Sequence, residues 1–182
     1  MHYVNMFQPK EIFIEKEVVN STVTQQILNK LPDVTVEYID DYRSIRIDGN
    51  TTADVFRKSK ERLAIAGKKG ELVKQFRCRD GIIGNTEYFI SQGNNCNLDC
   101  EYCFLQSYFD NAVPTVFVNH DEILTAIKDV LLAAGDKKTV FMLVNCVMPW
   151  PSMILQVYLS NSFLYFLNIP MQCWNLEQKQ LP

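Results

Sequence analysis

Between residues 87 and 143 the chain runs strand, cysteine-bearing loop, helix, strand, and no other feature limits its possible folds as tightly. Residues 87–91 (EYFIS) have the aromatic and β-branched content of a short strand and lead straight into Gly93-Asn94-Asn95 and a loop holding Cys96, Cys100 and Cys103. Asn119 stands at the N-cap of a helix over 121–134, with Ile123, Ala126, Ile127, Val130 and Leu131 as its apolar stripe and acids in its first turn. Gly135 ends that helix, and 139–143 reads as the next strand. Two strands separated by a helix share a sheet as parallel neighbours joined by a right-handed crossover. The order is that of the first βα units of a parallel barrel, in which ligands sit on loops at the C-terminal ends of strands, and the cysteines occupy such a loop.

Upstream, 11–19 (EIFIEKEVV) and 34–39 (VTVEYI) alternate apolar and polar side chains as half-buried strands do. Between them, 21–31 places Val23, Ile27, Leu28 and Leu31 on one helical face, with Ser21 or Thr22 as N-cap. Residues 53–66 read as a further helix and 67–70 as a loop. The expected class is α/β: a small N-terminal α/β segment over 1–85, then the start of a barrel over 86–141. With 182 residues, 47% of them hydrophobic, the chain suffices for one domain with a real core. MHYVNMFQPKEIF has neither the basic start nor the apolar run of a signal peptide, so a reducing, cytoplasmic setting is expected. There, six cysteines point to metal ligation before disulfides. The net charge of -3 hides an uneven distribution, since nine of the 18 Lys and Arg fall between Arg57 and Arg79. Such a stretch is either a basic face able to track DNA phosphates or a solvated helix and loop.

The CxxxCxxC spacing of Cys96, Cys100 and Cys103 sets three thiolates within eight residues. Three thiolates can hold three irons of a 4Fe-4S cluster and leave the fourth iron open, whereas four would complete an electron carrier. An open iron is how S-adenosylmethionine is bound and reduced to a radical. Zinc competes, because both spacings suit it and His120 is available as a fourth ligand. Tyr102, beside the third cysteine, can pack on the cluster loop or an adenine ring, or simply fill core. Cys78, between Arg77 and Arg79, has no partner at metal spacing and reads as a free thiol.

The run CNLDCEYCFLQSYFDNAVPTVFVNHDEIL resembles the spore photoproduct lyase family of radical S-adenosylmethionine proteins, with its CxxxCxYC motif followed by an aromatic, LQ, a proline and an FVN-type strand before a helix. The likeness extends upstream through IFIEKEVVN, TQQILNKLPDVTVEYIDDY and GKKGELVKQF. It implies a cytosolic enzyme that ligates a 4Fe-4S cluster through Cys96, Cys100 and Cys103, with Tyr102 lining the cofactor and an electron donor feeding the cluster. Such an enzyme cleaves S-adenosylmethionine to a 5′-deoxyadenosyl radical, and founding members of the family reverse a thymine dimer in DNA by abstracting and returning a hydrogen. The lyases proper carry tyrosine where this chain has Phe104, so a phenol is missing there. The alternative function is a non-catalytic zinc- or cluster-holding nucleic-acid-binding module.

Composition changes abruptly at the last strand: the first 139 residues carry 37 charged side chains and the 43 from Val140 to Pro182 carry two, Glu177 and Lys179. Pro149, Pro151, Gln156 and the Ser160-Asn161-Ser162 cluster break the run short of the ~20 apolar residues of a membrane span. Residues 140–148 can be back-translated so that one restored T after the second codon gives VFYAGELRD, and the same frame gives YPNAVLELRTKT across 168–180. A Gly-Glu after a strand is where radical S-adenosylmethionine enzymes hold the cofactor's amino group. The expectation is a frameshift near Phe141, with 142–182 an out-of-frame, non-native tail, a truncated barrel, and no role for Cys146, Cys173 or Trp174.

Overall fold

A computed structural model of the protein describes residues 7–76, 86–99, 111–135 and 139–144. Two sheets organise them. The first has five strands in the order β2 (Thr35–Ile39), β1 (Glu11–Glu15), β3 (Arg62–Ala66), β7 (Thr115–Phe117), β6 (Gly93–Asn94), all parallel except β6. The second sets β4 (Val73–Phe76) antiparallel to β5 (Thr86–Ser91), which in turn runs parallel to β8 (Thr139–Val144). Helices α1 (Thr22–Lys30), α2 (Thr52–Lys60) and α3 (His120–Ala134) supply the crossovers β1–α1–β2, β2–α2–β3 and β5–α3–β8. The expected parallel pairing about the cysteine loop is therefore present, with Thr86 opposite Thr139 and Ser91 opposite Val144.

The inner strands of the first sheet are buried on both faces. Ile12, Ile14, Leu63 and Ile65 pack against Val23 and Ile27 of α1, while Phe13 and Ala64 face the other way onto Ile45 and Val113. This accounts for one correction. Residues 53–66 form not one helix but α2 followed by β3, because Leu63-Ala64-Ile65-Ala66, each 0% exposed, lies between two neighbours and beneath two layers. A strand covered on both sides loses its alternation and reads as an unbroken apolar run. Similarly, the expected strand 11–19 stops at Glu15 and closes with a 3-10 turn, Lys16–Val18.

Helix α3 lays Ile123 and Ile127 on Val73 of β4 and Ile90 of β5, with Ala126, Val130 and Phe141 at the margin. Leu131, expected in the buried stripe, is 47% exposed. Asn119 sits at the N-cap, but its side chain makes no capping bond. Instead its Oδ1 accepts from the Lys68 amide at 2.7 Å and its Nδ2 donates to the Lys68 carbonyl at 3.1 Å, fastening the β3–β4 loop to the start of α3. Gly93–Asn94 and Thr115–Phe117, both beyond residue 85, complete the sheet that begins at Glu11.

Candidate functional site

The cysteine loop leaves the fold at a braced point. The Gln92 carbonyl accepts from the Phe117 amide at 2.9 Å, carrying the chain from the second sheet into the first, where Gly93 and Asn94 pair with Val116 and Thr115. Asn95 follows with φ +59, a left-handed conformation that asparagine tolerates better than most side chains. Its Nδ2 donates to the carbonyls of Asn111 at 2.9 Å and Val113 at 3.0 Å, so one amide joins the two ends of the loop. Asn111 Nδ2 donates to the Tyr42 carbonyl at 2.9 Å, and Asn94 Nδ2 to the Tyr42 hydroxyl at 3.2 Å. The Tyr42 ring meets Phe117 edge-on, with centroids 5.7 Å apart. Sequence reasoning singled out none of Tyr42, Asn95 and Asn111 as site residues, and the only signal was the density of asparagine at the loop's ends.

Cys96 emerges directly from this brace as a half-buried free thiol, with a weak contact from Sγ to the Leu98 carbonyl at 3.8 Å. Its chemistry fits a soft metal such as iron or zinc, since it is accessible and not engaged in a disulfide. Cys100, Tyr102 and Cys103 lie outside the described residues, as do Cys78, Phe104 and Cys146. Among the described residues no three His, Cys, Asp or Glu side chains converge as a metal group.

His120 is not brought to Cys96. Because β6 is antiparallel to β7, Cys96 continues beyond the Thr115 end of β7, whereas His120 follows its Phe117 end. The strand alone holds them roughly 10 Å apart. The His120 Nε2 lies 3.1 Å from the Phe117 carbonyl, and burial pushes its pKa below the ordinary histidine value. Among the described residues, His120 and Cys96 therefore stand at opposite ends of β7.

The described part of the basic stretch falls into two groups. Arg57 and Lys58 pair with Asp54, Lys60 lies over the Phe56 ring, and Arg62 pairs with Glu11, all toward the start of β3. Lys68 and Lys69 follow the end of β3, and Lys74 is on β4; Arg77 and Arg79 lie outside the described residues. Five residues of strand, roughly 16 Å, divide the two groups. Lys68, set 5.3 Å from the Phe117 ring centroid, has its pKa lowered by burial and by the charge of Lys74. Beside it, at the C-terminal ends of β1 and β3, Glu15 is fully buried and accepts from the Tyr42 amide, the Gly67 amide and Lys69 Nζ.

An open parallel sheet whose strand order reverses at β1, joined to a β–loop–α–β unit with a thiol at the loop's root, defines an α/β protein of the kind that carries ligands on loops at strand ends. The chain belongs to the spore photoproduct lyase family, whose family model matches residues 7–147. Solved structures agree on the fold. A spore photoproduct lyase double mutant with bound AdoMet and dinucleoside spore photoproduct superposes with a TM-score of 0.69 at 19% identity, covering 85% of this chain and 45% of that one. A spore photoproduct lyase tyrosine-to-phenylalanine mutant gives 0.68 at 19% identity, covering 84% and 46%. A spore photoproduct lyase complexed with dinucleoside spore photoproduct gives 0.61 at 21% identity, covering 74% and 39%. The chain thus spans less than half the length of these structures. No curated protein sequence matches it. No helix among the described residues is long and apolar enough to cross a membrane.

Proposed function

We propose that this chain is the cluster-bearing N-terminal portion of a radical S-adenosylmethionine enzyme acting on pyrimidine dimers in DNA. The observation that carries the reading is the position of Cys96, at the root of a loop that crosses from β6 to β7 inside the family match and within the parallel β5–α3–β8 unit. Cys96, Cys100 and Cys103 hold three irons of a 4Fe-4S cluster, and Tyr102 lines the cofactor. A 4Fe-4S cluster held there would supply the electron for reductive cleavage of a sulfur–carbon bond of S-adenosylmethionine. The chain's own contribution is to present three thiolates that leave one iron uncovered and to offer lysines on the loop after β3 to the DNA backbone. The relatives' bound dinucleoside spore photoproduct supports a DNA lesion as substrate.

The division of the chain belongs to the same proposal: an N-terminal α/β segment over 1–85, the start of the barrel over 86–141, and an out-of-frame tail over 142–182. The fall in charge after residue 139 supports that boundary, although the family match runs on to residue 147 and β8 to Val144. Resequencing the gene across codon 141 decides the frame, and an uninterrupted original reading that encodes the tail would refute the frameshift. Anaerobic reconstitution tests the cluster. Roughly four irons per chain with a visible thiolate-to-iron charge-transfer band, both abolished by Cys96→Ala, are expected. One zinc per chain without iron uptake would sink the reading.

A further inference from the structure

The loop that begins at Cys96 is tied at its base before any metal arrives. Asn95 adopts φ +59, a conformation that glycine would take without steric cost, yet the position carries a side chain and that side chain is used. One amide group bonds the carbonyls of residues 16 and 18 positions further on, at 2.9 and 3.0 Å. Asn111, the first of these, turns its own side chain back: its Oδ1 accepts from the Val113 amide at 3.0 Å and its Nδ2 donates to the Tyr42 carbonyl at 2.9 Å. Tyr42 belongs to a 3-10 turn, Tyr42–Ser44, that closes over the Phe13 and Ala64 face of the first sheet. Its amide is held by the buried carboxyl of Glu15 and its hydroxyl by Asn94. The two ends of the cysteine loop are therefore fixed to each other by Asn95 and to the N-terminal sheet by Tyr42.

We propose that Asn95 is a positioning residue for the metal loop, with Asn111 and Tyr42 as its supports, and that the N-terminal sheet serves to hold Cys96 in place ahead of cluster assembly. Bringing together the two ends of a segment has an entropic cost, and ends already joined in the folded chain have met part of it. The inference rests on the cluster reading for its purpose and not for its geometry.

The test separates the two. Asn95→Gly keeps the left-handed backbone and removes the amide; Tyr42→Phe removes the hydroxyl contact to Asn94 and keeps the carbonyl that Asn111 uses. In the metal-free full chain, amide exchange at residues 96–99 and 111–113 and alkylation of Cys96, mapped by mass spectrometry, are followed beside amide exchange in β1 and β3. Asn95→Gly is expected to accelerate exchange in those segments roughly 10- to 30-fold, as the loss of two ordinary hydrogen bonds does, with β1 and β3 unchanged. Tyr42→Phe should give a smaller effect, about threefold to fivefold. In the reconstituted chain, iron release to a chelator should rise in the same order. Exchange within about twofold of the parent overturns the proposal, as does an equal loss of protection in β1 and β3, which would make Asn95 a residue of the fold at large. A parent chain that takes up no iron removes the cluster reading, and the exchange comparison still decides whether the clamp exists.

Discussion

Glu15 offers the sharpest test of how the N-terminal sheet is held to the loops above it. Its side chain is 0% exposed at the end of β1 and accepts from the Tyr42 amide at 3.0 Å through Oε1 and from the Gly67 amide at 3.0 Å through Oε2. Lys69 Nζ lies 3.3 Å from Oε1 and keeps a partly exposed side chain, so water can replace that contact at little cost. Glu15→Ala would leave two backbone donors without their acceptor, at about 1–3 kcal/mol each. The expected total is about 2–6 kcal/mol, a large fraction of the roughly 5–15 kcal/mol that holds an ordinary domain folded. Glu15→Gln separates volume from acceptor chemistry. The amide has one oxygen for two donors, so one N–H must face an NH2 group, and a loss of about 2–3 kcal/mol is expected at nearly constant volume. Urea unfolding followed by circular dichroism reads both variants. With m near about 1–3 kcal/mol/M, the midpoint should fall by roughly 1 M or more in Glu15→Gln. A midpoint unchanged within error would mean that the carboxyl fills space and does not hold Tyr42 and Gly67, and the account of how the loops are fastened would fail with it.

Other expectations follow from single contacts. The hydrogen bond from the Arg43 side chain holds the Asp41 carboxyl down to about 2 against an ordinary 3.8, with burial opposing. A depressed carboxyl contributes stability above its unfolded pKa and loses it as pH falls through the folded value. Acid unfolding should therefore steepen between about pH 4 and 2, and Asp41→Asn should remove less than about 1 kcal/mol of that dependence because the pair is largely solvated. Leu63→Ala, at a fully buried position on the central strand, should cost about 2–5 kcal/mol in the same urea experiment. Lys68→Glu with Lys74→Glu should flatten the salt dependence of DNA binding by up to two phosphates' worth, about 0.7–0.9 in slope each. Arg57→Glu with Lys58→Glu should leave the slope unchanged, since both cations are paired with Asp54 beyond the far end of β3. Equal effects from the two pairs would restore a single basic face.

What was legible in the sequence divides along a physical line. β1, α1, β2 and α3 were readable because their side chains alternate or repeat at a helical spacing, β5 through its aromatic and β-branched content, and β8 through its place after the helix end at Gly135. β3 was not, because its burial on both faces removes the alternation that separates a strand from a helix. β4 and β6, four and two residues long, offer too little chain for a period, and β7, at three, was visible only through the likeness of its flanks to a known family. The site divides in the same way. Cys96 was identifiable from spacing to cysteines four and seven residues away, which is a local property of the chain. The groups that fix it act across 16, 18, 52 and 69 residues, through side chains meeting backbone carbonyls and a hydroxyl that no local pattern brings together. Asn119 makes the point within one residue: local rules identify it as a cap, yet its amide bonds the Lys68 backbone 51 positions earlier as well as Glu122 of its own helix. Spacing can therefore reveal which residues are able to hold a metal, whereas what holds those residues in place is a property of the sheet order, and here that order runs from Glu15 through Tyr42 to the asparagines at the loop's base.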